Sequence, residues 1–259
     1  MRSAQSFVKA ERRDYLKLDV YMFTNNGGRD YNEDFADCRV GETDAFFVLA
    51  DGLGGHYGGD IASHCVVDFL TTAWQTDREG RSCTEWLARQ IAQANDVLID
   101  LQKEKGSRMK STVVALCLGM DTVSWAHVGD SRLYYVSGGG IRRLTQDHSV
   151  TYKKYKSGEI SRDDMNADED RSSLLRAMGD AGHSNADCGS QEEGGHVMPG
   201  DAFLLCSDGL WEYLYDEEIL VDCLKSRTAM QWGQQMLLRV MKRMKPDSDN
   251  LTLMAVVVQ

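Results

Sequence analysis

The sequence lacks the short spacings that bind zinc or pair cysteines. Its seven cysteines form no Cys-x-x-Cys pair, and its six histidines form no His-x-His or His-Glu-x-x-His. An odd, scattered set of cysteines, most of them inside apolar stretches, is typical of reduced core thiols. We therefore expect neither a structural nor a catalytic zinc site.

Long apolar runs and an excess of positive charge are also missing. No run approaches the roughly 18 apolar residues of a membrane-spanning helix, and Met1–Lys17 is polar with scattered charges, unlike a secretion signal. Lysine and arginine total 29 against 40 acidic residues, for a net charge of −11. This balance argues against general binding to nucleic acid or to an anionic membrane. We expect a cytoplasmic protein, and a phosphorylated ligand stays compatible if metal ions and a local arginine offset the negative field.

Acidic residues stand at the ends of several predicted strands. The apolar run Ala45–Ala50 leads into Asp51 and a glycine-rich turn, as in a short buried strand that ends at the acid. Asp130 and Asp208 follow two further apolar runs, and Asp249 lies just before the last one. One such end is most simply an aspartate in a tight turn. Four in one chain favour a shared acidic site, whose oxygen ligands suit hard divalent cations.

Hydrophobic periodicity predicts the secondary structure. Helices are expected at Asp60–Trp74, behind the capping-box spacing of Ser82 and Glu85, at Asp216–Lys225 and at Thr228–Lys245. Strands are expected at Lys17–Thr24, Phe35–Val40, Ala45–Ala50, Ser111–Leu118, Thr122–Val128, Arg132–Val136, Ile141–Leu144, Ala202–Cys206 and Leu251–Val258. The four strands from Ser111 to Leu144 suggest a meander of hairpins in the middle of one sheet. Gly182–Gly195 is predicted to be a polar connection without a strand.

The order of these elements indicates the architecture. It lacks the regular strand–helix alternation of a parallel sheet, and it suits an α+β fold in which antiparallel sheets stack and helix pairs cover them. No internal repeat and no long linker divides the chain, so residues 1–259 are expected to form a single domain. Residues of about 149–180 form a polar insertion, predicted to be helical and mobile, with Lys153, Lys154 and Lys156 on a solvated face.

Eight short motifs, taken together and in order, resemble the metal-dependent type 2C protein serine/threonine phosphatases. They are Arg29-x-x-Asn32-Glu33-Asp34, Ala50-Asp51-Gly52-Leu53-Gly54-Gly55, Ser111-Thr112, Val128-Gly129-Asp130-Ser131-Arg132, Leu144-Thr145-Gln146-Asp147-His148-Ser149, Leu174-Leu175-Arg176-Ala177-Met178-Gly179, Ser207-Asp208-Gly209-Leu210-Trp211 and Asp249-Asn250-Leu251-Thr252. Each motif alone is weak. Eight in the family's order are very specific, and they cover about Arg29 to Val258.

The resemblance implies a four-layer α-β-β-α sandwich of two antiparallel sheets flanked by helix pairs, with two Mn²⁺ or Mg²⁺ ions between the sheets. By motif, Asp51 would bridge the two ions, and the Gly52 carbonyl would bind one of them. Asp208 and Asp249 would complete the protein ligands of the other ion. Many bacterial members carry a third ion, which the resemblance assigns to Asp130 together with Asp208.

The remaining site residues also follow from the resemblance. Glu33 and Asp34 would hold metal-bound waters or ligate directly. Arg29 would take the substrate phosphate in the bidentate geometry that a guanidinium permits. The segment at about 149–180 corresponds to the family's flap, whose sequence varies and which is thought to influence substrate choice.

The implied activity is hydrolysis of phosphoserine and phosphothreonine esters by a water activated at the two ions. Such a reaction needs no protein nucleophile, in agreement with a sequence that has no cysteine signature loop, no Gly-x-Ser-x-Gly elbow and no Walker lysine. The expected partners are phosphoproteins, the substrates of a serine/threonine kinase, and the expected state is a monomer.

One position departs from the pattern of many eukaryotic members. Leu53 stands where they carry a histidine that is commonly assigned as the general acid, so the chain resembles the bacterial form. A metal-bound water is the preferred proton donor to the leaving group, with His56 as the alternative. Two other functions stay open. The first is a silent pseudophosphatase, although no metal-site acid is missing, and the second is a metal phosphoesterase for small phosphomonoesters.

Overall fold

A computed structural model describes residues 15–54, 58–77, 84–182, 185–191 and 197–259. The strands are β1 (Leu18–Asn25), β2 (Asp34–Val40), β3 (Asp44–Leu53), β4 (Lys110–Ser111), β5 (Val113–Gly119), β6 (Val123–Val128), β7 (Arg132–Ser137), β8 (Gly140–Arg143), β9 (Asp187–Gln191), β10 (Ala202–Cys206) and β11 (Leu251–Val258). The helices are α1 (Gly58–Thr76), α2 (Thr84–Lys105), α3 (Val150–Ser157), α4 (Asp208–Trp211), α5 (Asp216–Lys225) and α6 (Ala229–Arg243), with a 3₁₀ turn at Met165–Ala167.

The strands form two antiparallel sheets. The first sheet has the order β1-β11-β10-β7-β8, and the second has the order β2-β3-β5-β6-β9, with β4 paired to the end of β3. Each predicted strand has a counterpart within a few residues, except that Ser111–Leu118 is divided at Thr112 into β4 and β5. The predicted pair of antiparallel sheets is therefore confirmed.

The core lies in three layers because both faces of the central strands are buried. In β3, Phe46 and Val48 pack with residues of α1 and α2, whereas Phe47 and Leu49 pack with residues of the other sheet. Alternate residues of a strand point to opposite faces. Because both faces of β3 are buried, its sequence is a continuous apolar run and does not alternate between apolar and polar residues. Helices α5 and α6 cover the outer face of the first sheet. The four-layer α-β-β-α sandwich is confirmed.

The predicted meander in the middle of one sheet is wrong. Strands β5 and β6 pair in the second sheet and β7 and β8 pair in the first, so the chain changes sheets at residues 129–131. Gly129 permits the crossing, because its φ is +104° and a Cβ there would lie 2.6 Å from Cγ2 of Thr112. A local pattern of strands and turns does not show to which sheet each hairpin belongs.

The polar connection predicted at Gly182–Gly195 contains the edge strand β9, which pairs with β6. Its residues, Asp-Cys-Gly-Ser-Gln, have no apolar alternation, so the sequence contains no strand signal.

The expectations about the cysteines and about the cap of α2 have different outcomes. Cys188 is exposed rather than a core thiol, although Cys117 and Cys206 are buried. Ser82, the expected cap of α2, and Cys83 lie outside the described residues.

The insertion at about 149–180 is only partly helical. Ser149 caps α3 by accepting a hydrogen bond from Tyr152 N, and the rest of the segment holds the single 3₁₀ turn described above. Lys153 and Lys156 are exposed as predicted. Lys154 is instead paired with Asp168 and Asp170, each at 2.9 Å, which ties the helix to the remainder of the insertion.

Helix length and composition bear on membrane insertion. In the part of the chain that the structure describes, none of the helices combines the length and the apolarity that crossing a bilayer requires.

Candidate metal centre

The predicted site residues meet in one cleft at an edge of the sandwich. The cleft encloses about 340 Å³. Its lining consists of Arg29, Glu33, Asp51, Gly52, Leu53, Gly54, Thr112, Asp130, Ser172, Leu174, Asp208 and Asp249. Of the residues that the sequence assigned to the site, only Asp34 is not in this lining, and its side chain is buried directly behind it, opposite Asp51 on the neighbouring strand.

Asp51 lies inside a strand and not after one, so the expected strand end at Ala50 is wrong. Strand β3 continues because Gly52 pairs with Ser111 of β4. Asp51 N donates to Thr112 Oγ1 at 2.9 Å, and Asp51 O accepts from Thr112 N at 2.8 Å and from Ser111 Oγ at 3.0 Å. These three bonds fix the backbone from which the carboxylate projects.

Gly52 leaves room for the start of α1. A Cβ at this position would lie 2.0 Å from Gly59 O and 2.8 Å from Glu33 O. Gly52 N also donates to Glu33 O at 3.0 Å, and Gly59 N donates to Glu33 Oε1 at 3.2 Å. The close approach that only glycine allows therefore places Glu33 beside Asp51 at the mouth of the cleft.

Two buried carboxylate oxygens have no hydrogen-bond partner among the described residues, namely Oδ1 of Asp34 and Oδ1 of Asp208. The other oxygen of Asp34 accepts from Ser207 Oγ at 2.7 Å, and Ser207 Oγ accepts in turn from Thr252 N at 3.0 Å. Leaving a buried acceptor unpaired costs about 1–3 kcal/mol. Unpaired oxygens in a cluster of acids are the donors that a hard cation would take, so the residues fit the Mn²⁺ or Mg²⁺ that the motifs imply.

Burial and neighbouring negative charges raise the pKa values of the aspartates in and behind the cleft. Burial, followed by the charges of Asp34 and Asp208, raises the pKa of Asp51 well above its usual range. Burial, followed by the charges of Glu212 and Asp130, does the same to the pKa of Asp208. Burial also raises the pKa of Asp34 and the pKa of Asp130, each to about 7. A bound cation would favour the ionised carboxylates and reverse these shifts.

Arg29 lies half-exposed at the mouth of the cleft. Its Nη2 donates to Asp249 Oδ2 at 2.7 Å, a contact that joins the predicted phosphate-binding residue to a predicted metal ligand. Leu53 lines the same cleft. His56, the alternative proton donor, lies outside the described residues.

Two residues of the site region were missed by the sequence analysis. Glu212 follows Asp208 by four residues, and helix α4, which was not predicted, places it one turn away. Asn250 was noted only within a motif, yet its Oδ1 accepts from Glu33 N at 2.8 Å and its Nδ2 donates to Tyr31 O at 2.8 Å. The four-residue spacing of two acids was the available signal for Glu212.

A second cluster brings together His127, His148 and Asp187, whose ligand atoms lie within 4.8 Å of one another. Gly129 N donates to His148 Nδ1 at 3.1 Å, so the ring proton is on Nε2, which faces Asp187 Oδ2 at 3.2 Å. Arg176 also binds both oxygens of Asp187. Nδ1 of His127 is buried without a hydrogen-bond partner among the described residues, but Arg176 occupies both oxygens of Asp187 and its positive charge opposes a bound cation. These contacts favour an ion-pair network over a metal site.

The raised pKa values predict the pH dependence of the metal-free protein. A carboxyl whose pKa rises from its usual value of about 4 to about 7 binds its proton more tightly when folded, so its stabilising effect is lost as the pH rises through about 7. We expect a lower melting temperature in EDTA at about pH 8.0 than at about pH 6.5. His127 and His148, whose pKa values are lowered by burial, act in the opposite direction, mainly below and around their usual value of about 6.5.

Thermal melts of the wild type and of Asp130→Asn check this expectation. The variant lacks one of the two carboxyls and should show a smaller difference between the two pH values. A wild-type melting temperature that is constant or rises across this range would show that the acids are not crowded as described.

Comparison with known proteins supports the family relationship. The model of the family described as protein phosphatase 2C matches residues 28–245. Serine/threonine phosphatase stp of Listeria welshimeri is 34% identical over 191 residues, which cover 71% of this chain and 73% of that protein. Protein phosphatase PhpP of Streptococcus pneumoniae is 31% identical over 212 residues, which cover 78% and 82% of the two chains.

The fold agrees as well. The solved structure of the S. agalactiae serine/threonine phosphatase matches with a TM-score of 0.82 at 27% identity, and the match covers 94% of this chain and 100% of that one. The range matched by the family model, residues 28–245, contains the cleft residues from Arg29 to Asp208 and ends before Asp249. This chain belongs to the protein phosphatase 2C family.

Proposed function

We propose that this chain is a protein serine/threonine phosphatase whose acidic cleft holds Mn²⁺ or Mg²⁺ and hydrolyses phosphoserine and phosphothreonine esters. The observation that carries the proposal is the cluster of buried carboxylates with unpaired oxygens on Asp34 and Asp208, in a chain of the protein phosphatase 2C family. The relatives named above are serine/threonine phosphatases, which supports phosphoproteins as the substrates.

The ligand assignment is part of the proposal. Asp51 would be shared by two ions, the Gly52 carbonyl would bind one, and Asp208 with Asp249 would bind the other. Asp130 and Asp208 line the same cleft, and, after burial, the charges of Glu212 and Asp130 are the largest causes that raise the pKa of Asp208. Both observations support a third ion on their side of the cleft. Glu33 and Asp34 border the first pair, either as ligands or as hydrogen-bond acceptors for bound water.

The chain's own residues perform separate tasks. Bound divalent ions supply Lewis acidity, because they lower the pKa of a water and offset the charge of the phosphate. Arg29 would bind phosphate oxygens with its planar set of donors, and its contact with Asp249 holds it beside a proposed metal ligand. Among the described residues that line the cleft, none is a cysteine or a histidine, which supports direct attack by water.

The hydroxyl group of Thr112, in the cleft lining, has structural partners. Thr112 Oγ1 accepts from Asp51 N and lies 2.7 Å from Ser131 Oγ, so it is committed to holding the backbone of the acidic strand. Leu53 has no proton to donate at the position that often carries a histidine, so proton transfer to the leaving serine or threonine oxygen falls to water.

We also propose the substrates, the oligomeric state, the location and the domain organisation of the enzyme. The substrates would be phosphoproteins made by a serine/threonine kinase, and the protein would act as a monomer in the cytoplasm. Residues 1–259 would form one catalytic domain in which residues of about 149–180 are the flap. Ser172 and Leu174 of this segment line the cleft, so the flap borders the place where a substrate would bind.

A direct test compares kcat/KM for a phosphothreonine peptide with kcat/KM for p-nitrophenyl phosphate, each with Mn²⁺ and in EDTA. We expect activity only with the metal and a preference for the peptide. Asp51→Asn should retain less than a few per cent of the turnover because it removes a charged ligand, whereas Asp100→Asn on the exposed face of α2 should match the wild type. Full turnover after exhaustive metal removal would contradict the proposal, and a preference for the small ester would favour a general phosphoesterase.

Arg29→Ala should raise KM for the phosphopeptide about tenfold, with a smaller change in kcat, because the phosphate contact exists in the ground state. The matched control is Arg89→Ala on α2. It breaks an ion pair of similar exposure with Asp77, far from the cleft, and should leave both constants unchanged. A loss confined to kcat would refute the assigned role of Arg29.

A further inference from the structure

The flap is fastened to the helix that begins with Asp208. Arg162 Nη2 donates to Trp211 O at 2.8 Å and to Leu214 O at 3.3 Å. Asn166 Nδ2 donates to Glu212 O. The last carbonyls of a helix have no partner within the helix. Trp211 O receives a long hydrogen bond of 3.4 Å from Leu214 N, and the flap adds further donors at this end of the four-residue helix.

Apolar contact accompanies these hydrogen bonds. Met165 of the flap is 2% exposed and belongs to the same hydrophobic cluster as Trp211 and Leu214. Ile160 packs against this cluster. The flap therefore meets the end of α4 through a packed interface and not through one surface contact.

Trp211 connects this interface to two predicted metal ligands. It lies three residues after Asp208 in one helical turn, and its Nε1 donates to Asp130 O at 3.0 Å. A displacement of Trp211 would thus move the backbone of both acids. Arg162 reaches this connection directly, because it binds the Trp211 carbonyl.

The indole itself is held in place by a buried ion pair. The guanidinium of Arg132 lies 3.5 Å from the centre of the Trp211 ring. Arg132 is bound to Asp147 by three hydrogen bonds, the shortest 2.6 Å. Trp211 is therefore held at two places, at its ring by Arg132 and at its carbonyl by Arg162 of the flap.

We propose that Arg162 is a positioning residue of the metal centre, which holds α4 through the carbonyls of Trp211 and Leu214 and so sets the affinity of Asp208 and Asp130 for divalent ions. The inference rests on the proposed function. Metal sites need ligands held within about 0.5 Å, and loss of a partner that orients a ligand typically weakens metal binding by about 10- to 100-fold.

This connection has a consequence for substrates. Ser172 and Leu174, in the same flap, line the cleft, and Leu174 forms a bridge with Ser149 at the start of α3. A phosphoprotein that displaces the flap would therefore change metal affinity, and bound metal would change the affinity for that phosphoprotein by the same factor. The flap would act on the metal centre as well as on substrate choice.

The test is a calorimetric titration of metal-free protein with Mn²⁺. Arg162→Ala should raise the Kd for Mn²⁺ about tenfold. Arg162→Lys should show a smaller increase, because an ammonium can still reach one carbonyl. The control is Lys153→Ala, an exposed flap residue, which should match the wild type. At saturating Mn²⁺, Arg162→Ala should have a KM for the phosphopeptide close to that of the wild type.

Several outcomes would overturn the inference. A raised KM with an unchanged Kd would mean that the flap acts on the substrate alone. A lower melting temperature in EDTA with an unchanged Kd would mean that Arg162 is only structural. If Arg162→Ala does not fold, Arg162→Lys and Asn166→Ala decide, and wild-type Kd values in both would refute the inference. A wild type that does not bind Mn²⁺ would overturn the proposed function itself, and this inference with it.

Discussion

Mutual repulsion among carboxylates is the constraint on which the site depends. Asp34 and Asp130 are buried, and Asp51 and Asp208 are partly open to the same cleft. Two unit charges about 4 Å apart at an effective dielectric near 20 repel by roughly 4 kcal/mol. The fold withstands this because backbone hydrogen bonds, such as those at Asp51, fix the acids in place. Divalent ions relieve the repulsion, so the cofactor is a consequence of the geometry.

Local patterns predicted most of the elements but not their assembly. The run Ala45–Ala50 has no polar interruption because its two faces contact two different layers. The uninterrupted run allowed a buried strand to be predicted here. Helix α5 was predicted with its observed ends. Strand β9 was missed because its polar residues show no apolar alternation. The change of sheet at residues 129–131 was missed because hairpin signals describe neighbours in sequence and carry no information on which sheet they join.

The sequence predicted which residues form the site, but it predicted their arrangement only in part. Motifs identified Asp51, Asp208 and Asp249, and the structure brings them into one cleft. They could not show that Asp51 lies within a strand, since that depends on pairing between Gly52 and Ser111, about 60 residues apart. The contact of Arg162 with α4 likewise joins distant segments by side-chain hydrogen bonds to carbonyls, for which a sequence has no periodic signal.

The central claim, that the fold gathers mutually repelling acids which metal ions then stabilise, is tested most directly by thermal melts of the wild type and Asp51→Asn in EDTA and in saturating Mn²⁺. At free metal about 100 times Kd, linkage contributes roughly 2.7 kcal/mol, or about 5–10 °C for a chain of this size. The account predicts that Mn²⁺ raises the wild-type melting temperature by this amount, and that Asp51→Asn responds less but melts at or above the wild type in EDTA. Equal shifts in the two proteins would contradict it.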